Sequence, residues 1–232
     1  KAGNANGKTG LGRAYIDGLG VTADVQKGLS LITEVAETGN RDALYALGDL
    51  YSRGGAVAAD GAKAVDYFQR ALAAGNRSAL RRLGEIYRDG KLVAADPQKA
   101  FSFFEELASD GNPSGKVNLG RAYIDGMGVP QDVNKGLAMI GELADADNRD
   151  ALFVLGDLYA RGGPVEVDGA KAVGYLERAA KAGNKTAVRR LGEIYRDGTI
   201  VPADPQKAFG YFQDYASDGN PGGQLNLGRA YL

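Results

Sequence analysis

The chain has 232 residues, and its 28 basic and 29 acidic side chains leave a formal net charge of −1. This balance offers no basic excess, which a nucleic acid or an anionic membrane surface would require, so we expect neither as a partner. The sequence contains neither cysteine nor histidine, which excludes disulfides, thiolate metal sites and catalytic Ser-His pairs. No apolar run reaches the length of about 18 residues typical of a spanning helix, so we expect no direct membrane insertion.

A short motif, Leu-Gly followed by two variable residues and Tyr, organises the entire chain. Its leucine recurs every 36 residues, at Leu11, Leu47, Leu83, Leu119, Leu155, Leu191 and Leu227. A fixed period of this length is typical of repeat proteins, in which each repeat buries its apolar face against its neighbours. We predict a single all-α solenoid over residues 1–232, with helix-turn-helix repeats at 5–40, 41–76, 77–112, 113–148, 149–184 and 185–220 and a partial repeat at 221–232.

The second repeat shows how the residues specify two helices. Asn40 is a suitable N-cap for a first helix, named helix A, and Gly54 can supply the left-handed residue that ends it. Asp60 can cap a second helix, named helix B, which Gly75 ends. These caps recur in the other repeats, except that Asp147 replaces the last glycine in the fourth. The predicted helices A lie near 5–17, 41–53, 77–89, 113–125, 149–161, 185–197 and 221–232, and helices B near 24–38, 60–74, 96–110, 132–146, 168–182 and 204–218.

The sequence also repeats with a longer period of 108 residues, which is three repeats of 36. The version of the motif that begins at Leu11 returns at Leu119, and the version at Leu83 returns at Leu191. We infer that a block of three repeats has been duplicated. Any surface made by residues 5–112 should therefore recur on residues 113–220.

Three recurring positions need a physical explanation. A glycine inside a helix costs about 1 kcal/mol relative to alanine, so we interpret Gly48 and its equivalents as points where the backbone of helix B approaches helix A. We interpret Tyr51 and its equivalents as core aromatics with a hydroxyl that reaches the loop. Lys63 stands three residues after Asp60, and we expect its stem to pack on apolar surface while its ammonium pairs with that aspartate. A basic ladder that binds a ligand is the alternative.

The repeat resembles the Sel-one-like repeat (SLR) family, a relative of the tetratricopeptide repeat with a slightly longer loop between its helices. The resemblance rests on the capping Asn, Leu-Gly, Tyr, Gly, a loop Val, the second capping Asp and a following Lys, in phase through essentially the whole chain. It implies a right-handed superhelical solenoid that serves as an adaptor or scaffold for protein complexes, in bacteria often at the envelope. Some members with paired cysteines are described as β-lactam hydrolases, and this chain lacks those cysteines.

Motifs for cofactors and metals are few, and we assign none of them. The tripeptide at residues 7–9 resembles the end of a phosphate-binding loop, but Ala2 stands where that motif requires glycine. Asp145, Asp147 and Asp150 crowd one turn, yet they lack the glycine and distant glutamate of a calcium-binding loop. We therefore predict no catalytic residue, no cofactor and no metal.

Three functions stay open at this point. A non-enzymatic scaffold that binds a protein or peptide is favoured by the repeat geometry, the mixed surface and the lack of a catalytic set. A glycan-binding envelope module is the alternative, for which Tyr45 and Phe153, with nearby Asp49 and Asp157, would supply aromatic and carboxylate groups. A hydrolase that uses paired carboxylates is the remote alternative.

The resemblance also implies where a partner would bind, because helix A lines the concave wall in tetratricopeptide proteins. We expect its exposed side chains at positions −2, +2 and +5 from the motif leucine, a banded surface suited to an amphipathic peptide. Tyr45, Arg81, Phe153 and Arg189 are the expected anchors, since aromatic residues and Arg dominate interface energies. The competing interpretation is that Arg81 and Glu85 form only a surface ion pair. The predicted partner-binding residues are Tyr45, Asp49, Arg81, Glu85, Arg88, Val117, Arg121, Phe153, Asp157, Arg189, Glu193 and Arg196, and the same rule exposes Ile16, Ile124 and Ala160.

Both ends of the sequence fall inside a repeat, so we expect a piece of a longer array. Leu225, Leu227, Tyr231 and Leu232 have no following helix B to cover them, and we expect end-to-end self-association through such uncovered surfaces. The sequence shows no export signal, so the localisation stays open. The resemblance favours an exported protein over a cytoplasmic one.

Overall fold

The computed structural model describes residues 2–217, in which the chain forms twelve α-helices and no strand. The all-α repeat architecture predicted from the sequence is thereby confirmed. Odd-numbered helices are the helices A and even-numbered helices are the helices B. The predicted helix at 221–232 and its uncovered apolar residues lie outside the described residues. In chain order the helices are α1 (Ala2–Asp17), α2 (Val25–Glu37), α3 (Arg41–Arg53), α4 (Gly61–Ala73), α5 (Ser78–Asp89), α6 (Pro97–Ser109), α7 (Pro113–Asp125), α8 (Val133–Asp145), α9 (Arg149–Arg161), α10 (Gly169–Lys181), α11 (Lys185–Asp197) and α12 (Pro205–Ser217).

The chain divides into two compact units between Gly115 and Lys116, close to the limit of the two predicted blocks. In the first compact unit, each helix A packs on the helix B that follows it, and α2 and α4 pack on α3 and α5. In the second, α9 packs on α10 and α11 on α12, while α8 and α10 pack on α9 and α11. The single continuous solenoid remains a prediction.

Aspartate side chains begin the helices B as predicted. The Oδ1 atom of Asp60 accepts a hydrogen bond from the backbone N–H of Lys63 at 3.0 Å. Equivalent bonds of 2.9–3.0 Å begin the other five helices B. The backbone N–H of each capping aspartate in turn donates to the carbonyl of the motif tyrosine, at 2.9 Å from Asp60 to Tyr51. This bond fixes the start of helix B against the end of helix A.

The starts of two helices A differ from the prediction. Helix α5 begins at Ser78, one residue later than expected, with Arg77 in the N-cap position and the Oδ1 of Asn76 accepting from the Ser78 N–H at 3.2 Å. Helix α1 begins at Ala2, so Asn4 lies within the helix and does not begin it.

The motif glycines lie where helix A meets helix B, but what fills the space differs between repeats. A β-carbon on Gly136 would stand 2.4 Å from the carbonyl oxygen of Gly120, so the predicted close approach of two backbones is confirmed in the fourth repeat. A β-carbon on Gly48 would instead stand 2.8 Å from the ring of Phe68. In the second repeat the glycine therefore makes room for an aromatic side chain of helix B, which corrects the prediction there.

Four motif tyrosines, Tyr51, Tyr87, Tyr159 and Tyr195, stack on an aromatic ring of the following helix B. Tyr51 is half-buried, and its ring stacks on that of Tyr67 with centroids 5.8 Å apart and an interplanar angle of 5°. The Nζ of Lys63 lies 5.0 Å from the Tyr51 centroid and 3.2 Å from Oδ2 of Asp60. The expected packing and pairing of this lysine are confirmed, with an aromatic ring as the surface that it covers. The predicted core position of the motif tyrosines is confirmed for Tyr195, which is 8% exposed, whereas Tyr51 packs half-buried against the edge of its core cluster.

Candidate partner-binding face

The twelve predicted partner-binding residues all lie on helices A, and in each compact unit we name the surface of its helices A that carries them the helix-A face. Within it, Arg81, Arg121 and Arg196 are exposed, and Tyr45, Glu85, Arg88, Phe153, Asp157, Arg189 and Glu193 are half-buried. The remaining two, Asp49 and Val117, are buried, with exposed fractions of 8% and 6%. Their predicted exposure was therefore wrong.

The buried positions have a common cause. Ile16, Ile124 and Ala160 all occupy position +5 and are 4%, 2% and 8% exposed. Helices α1 and α9 each pack on the helix B that follows them. In addition, α1 contacts α3 and α9 contacts α11. In these three repeats the apolar stripe of helix A is consequently wide enough to include position +5, whereas in the third and sixth repeats that position is the half-buried Arg88 and the exposed Arg196. Val117 packs within the core cluster of the second compact unit.

Asp49 is buried because two arginines flank its carboxylate. Nη2 of Arg53 lies 3.0 Å from its Oδ2, and Nη2 of Arg82 lies 3.5 Å from its Oδ1. Arg82 also donates to Oε2 of Glu85 and to Oγ of Ser52, each at 3.0 Å. A single guanidinium thus joins α3 to α5 at the centre of the helix-A face of the first compact unit.

The same network recurs in the second compact unit. Nε of Arg190 lies 3.2 Å from Oδ1 of Asp157, and Nη2 of Arg161 lies 2.6 Å from its Oδ2. Arg190 also approaches Glu193, at 3.6 Å. Sequence reasoning missed both central arginines. The signal was present, since position −1 is arginine only in the third repeat of each block, 33 residues after an aspartate.

The ion pairs of the competing interpretation, between residues four positions apart on one helix A, are present. Nη1 of Arg81 lies 3.1 Å from Oε1 of Glu85, and Arg189 pairs with Glu193 in the same way. Arg81 nevertheless keeps 45% of its side chain exposed. Because a guanidinium carries five N–H donors, this pairing leaves donors that can face a partner.

Two of the expected anchors lie in one groove. Tyr45 and Arg81, from consecutive repeats, line it together with Asn76, Ser78, Leu107, Asn112 and Ser114. The Tyr45 ring meets Phe68 edge-on, with centroids 5.3 Å apart, which fixes its position. In the second compact unit Phe153 lines a groove with Arg121 and Asp157. The structure therefore brings the aromatic and arginine anchors together in the first compact unit, and an aromatic residue and charged groups in the second.

Other kinds of site find little support in the part of the chain that the structure describes. Residues 2–217 contain no group of three or more Asp, Glu, His or Cys side chains arranged to hold a metal ion. None of the described helices combines the length and the apolar character needed to cross a membrane.

Comparison with known proteins identifies the repeat. The family model described as the Sel1 repeat matches residues 6–37, 41–76, 77–112, 113–148, 149–184 and 186–220. The chain belongs to the Sel1 repeat family. Sel1 repeat proteins are generally protein-interaction scaffolds and are typically non-enzymatic. No match was found among curated proteins.

Solved structures of similar proteins share the fold. A Sel1 repeat protein from Oxalobacter formigenes is 29% identical with a TM-score of 0.70, over 96% of this chain and 65% of its own. The protective antigen c5321 of uropathogenic Escherichia coli is 26% identical with a TM-score of 0.62, and this chain spans 98% of its own length and 49% of that antigen. The immunity protein Pa5087 from Pseudomonas aeruginosa, at 22% identity over 92% of this chain and 81% of its own, with a TM-score of 0.61, shares the fold alone.

Proposed function

We propose that this Sel1 repeat protein is a non-enzymatic scaffold whose helix-A face binds a peptide segment of a partner protein. The observation that carries the proposal is the groove in which Tyr45 and Arg81 meet. An aromatic ring fixed by packing and an arginine with free donors are the residue types that dominate binding energies at interfaces. Polar Asn and Ser side chains complete the lining, which suits a segment with both apolar and polar groups.

The pattern of charge favours an amphipathic peptide over a uniform polyanion. Arginines of the face stand beside carboxylates, as Arg81 does beside Glu85 and Arg196 does beside Asp197. A polyanion would meet those carboxylates as well as the guanidiniums, whereas a peptide with alternating charge can match both.

A glycan-binding function is less well supported by the ring geometry. Stacking on a sugar needs an open aromatic face, but the Tyr51 ring already has the ammonium of Lys63 and the ring of Tyr67 against it. Tyr45 already makes an edge contact with Phe68. Titration with oligosaccharides is therefore the comparison arm of the test, and we expect no binding.

The test compares Arg81→Ala with Arg70→Ala in capture of the partner. Arg70 lies on α4, a helix B, is 47% exposed and pairs with a carboxylate four residues away, as Arg81 does at 45%. We expect Arg81→Ala to weaken capture about tenfold or more and Arg70→Ala to leave it unchanged. Loss of capture with Arg70→Ala but not with Arg81→Ala would indicate that the binding surface lies on the helices B.

The location at a bacterial envelope also belongs to the proposal. It rests on the family resemblance and on the likeness to an Escherichia coli protein described as a protective antigen. Cell fractionation of the native protein tests it, with recovery in the cytoplasmic fraction as the contrary result.

A further inference from the structure

One groove of the helix-A face occurs twice, once in each compact unit. Between α1 and α3 its principal lining residues are Arg13, Ile16, Asp17, Asp49, Leu50 and Arg53. Between α7 and α9 they are Arg121, Ile124, Asp125, Asp157, Leu158 and Arg161. Each residue of the second set is the same amino acid as its counterpart 108 positions earlier. We name these two surfaces the repeated groove.

The floor of the repeated groove is apolar. Ile16 and Ile124 are buried at 4% and 2% exposure, and Leu158 is 9% exposed. These side chains are held in the cores of their compact units, so the floor is preformed. A preformed apolar floor suits a single apolar side chain of a ligand.

The rim of the repeated groove presents more hydrogen-bond donors than acceptors. The Asp49 side chain is only 12% exposed, and its two carboxylate oxygens already pair with Arg53 and Arg82. The Arg53 side chain is 73% exposed, and its equivalent Arg161 is 62% exposed. Arg13 and Asp17 are both exposed on the opposite wall. The rim of the first groove thus presents the exposed guanidiniums of Arg13 and Arg53 and one exposed carboxylate, that of Asp17. This excess of donors favours an anionic group in the ligand.

We propose that the chain carries two equivalent peptide sites, one in each compact unit, and that each binds a segment in which an apolar side chain stands next to a carboxylate. The apolar side chain would cover Ile16 or Ile124, and the carboxylate would accept from Arg53 or Arg161. This inference rests on the proposed function, because it assigns a ligand class and a stoichiometry to the same helix-A face. Its carrying observation is the formation of one groove, with six identical lining residues, in both compact units.

The test uses two arrays of short synthetic peptides. In one array a Leu, Ile or Phe stands next to Asp or Glu, and in the matched array Lys replaces the acidic residue. The strongest binder is then titrated calorimetrically against the full chain. We expect it to come from the acidic array and to bind at two sites per chain with one affinity.

Variants assign the two sites. Arg13→Ala with Arg53→Ala should leave one site per chain, and so should Arg121→Ala with Arg161→Ala, while the affinity of the remaining site changes by less than about twofold. All four substitutions together should abolish binding. Arg41→Ala with Arg149→Ala is the control, since both arginines are exposed near the starts of α3 and α9, and it should retain two sites. Thermal melts check that each variant is folded.

The possible failures are distinguishable. Stronger binding by the lysine array, or two sites that survive all four substitutions, overturns the inference. Arg53 could serve only to pair with Asp49 and with the helix dipole at the end of α3. In that case the variant with Arg13→Ala and Arg53→Ala will lose stability but keep both binding sites, and this result also overturns the inference. A single site lost with Arg81→Ala would refute the repeated groove while supporting the proposed function. No binding by either array, together with partner capture insensitive to Arg81→Ala, would refute both.

Discussion

The ring of Phe68 lies so close to Gly48 that a β-carbon on the glycine would stand 2.8 Å from the ring carbon Cδ1. Phe68 is fully buried, so its ring cannot move aside without disturbing the core. The same relationship joins Gly84 to Phe104, at 2.4 Å. In these repeats the motif glycine is needed for space, which explains why the chain tolerates its low helix propensity.

The first prediction concerns this contact. Gly48→Ala should lower the free energy of unfolding by about 1–3 kcal/mol through overpacking, although alanine alone would raise it by about 1 kcal/mol. Gly174→Ala is the matched control, because that helical glycine has no neighbouring atom within 4 Å of a built β-carbon. It should stabilise by about 0.5–1 kcal/mol. Urea denaturation measures both, and two changes of the same sign would contradict the contact.

The second prediction concerns the arginine that joins α3 to α5. Arg82→Ala should destabilise by about 1–3 kcal/mol, because it leaves the buried Asp49 with one partner instead of two. Arg81→Ala should change stability by less than about 1 kcal/mol, since Arg81 forms only an exposed pair with Glu85. Equal effects in denaturation would show that Arg82 is an ordinary surface arginine.

The third prediction concerns Asp147, whose φ of 54° places it in the left-handed region that glycine occupies after α2, α4, α6 and α10. Replacement by glycine should relieve about 1 kcal/mol of strain but removes the 2.8 Å ion pair with Arg178. Asp147→Gly should therefore stabilise more in an Arg178→Ala background than in the parent. A double-mutant cycle measures the difference, and a larger gain in the parent would argue against the pair.

The fourth prediction concerns pH. The backbone N–H of Lys171, and then its ammonium, lower the pKa of Asp168. Its contribution to stability is therefore complete above the ordinary carboxyl pKa of about 4 and is lost as pH falls through the lower pKa of the folded state. Asp168→Asn keeps a capping side chain but cannot titrate. The stability advantage of the parent over this variant should be constant near neutral pH and shrink in acid, and an advantage that grows in acid would reverse the assignment.

The fold could be predicted from the sequence because its determinants are local. An N-cap such as Asp60 and a left-handed glycine such as Gly54 act within one turn, and the period of 36 residues places every hairpin. The binding face could be predicted only in part. The pairing of Asp49 with Arg82 spans 33 residues, and the burial of Ile16 depends on contact between successive helices A. Neither follows from the periodicity of one helix.

The position of the partner on the helix-A face is tested most directly by photo-crosslinking. A benzophenone amino acid at Tyr45 or at Phe153 lies in a groove of that face, whereas the same probe at Gln69 or Glu177 is exposed on α4 or α10, both helices B. We predict covalent capture of the partner from positions 45 and 153 and none from positions 69 and 177. Capture from positions 69 and 177 with none from 45 and 153 would contradict the proposed binding face.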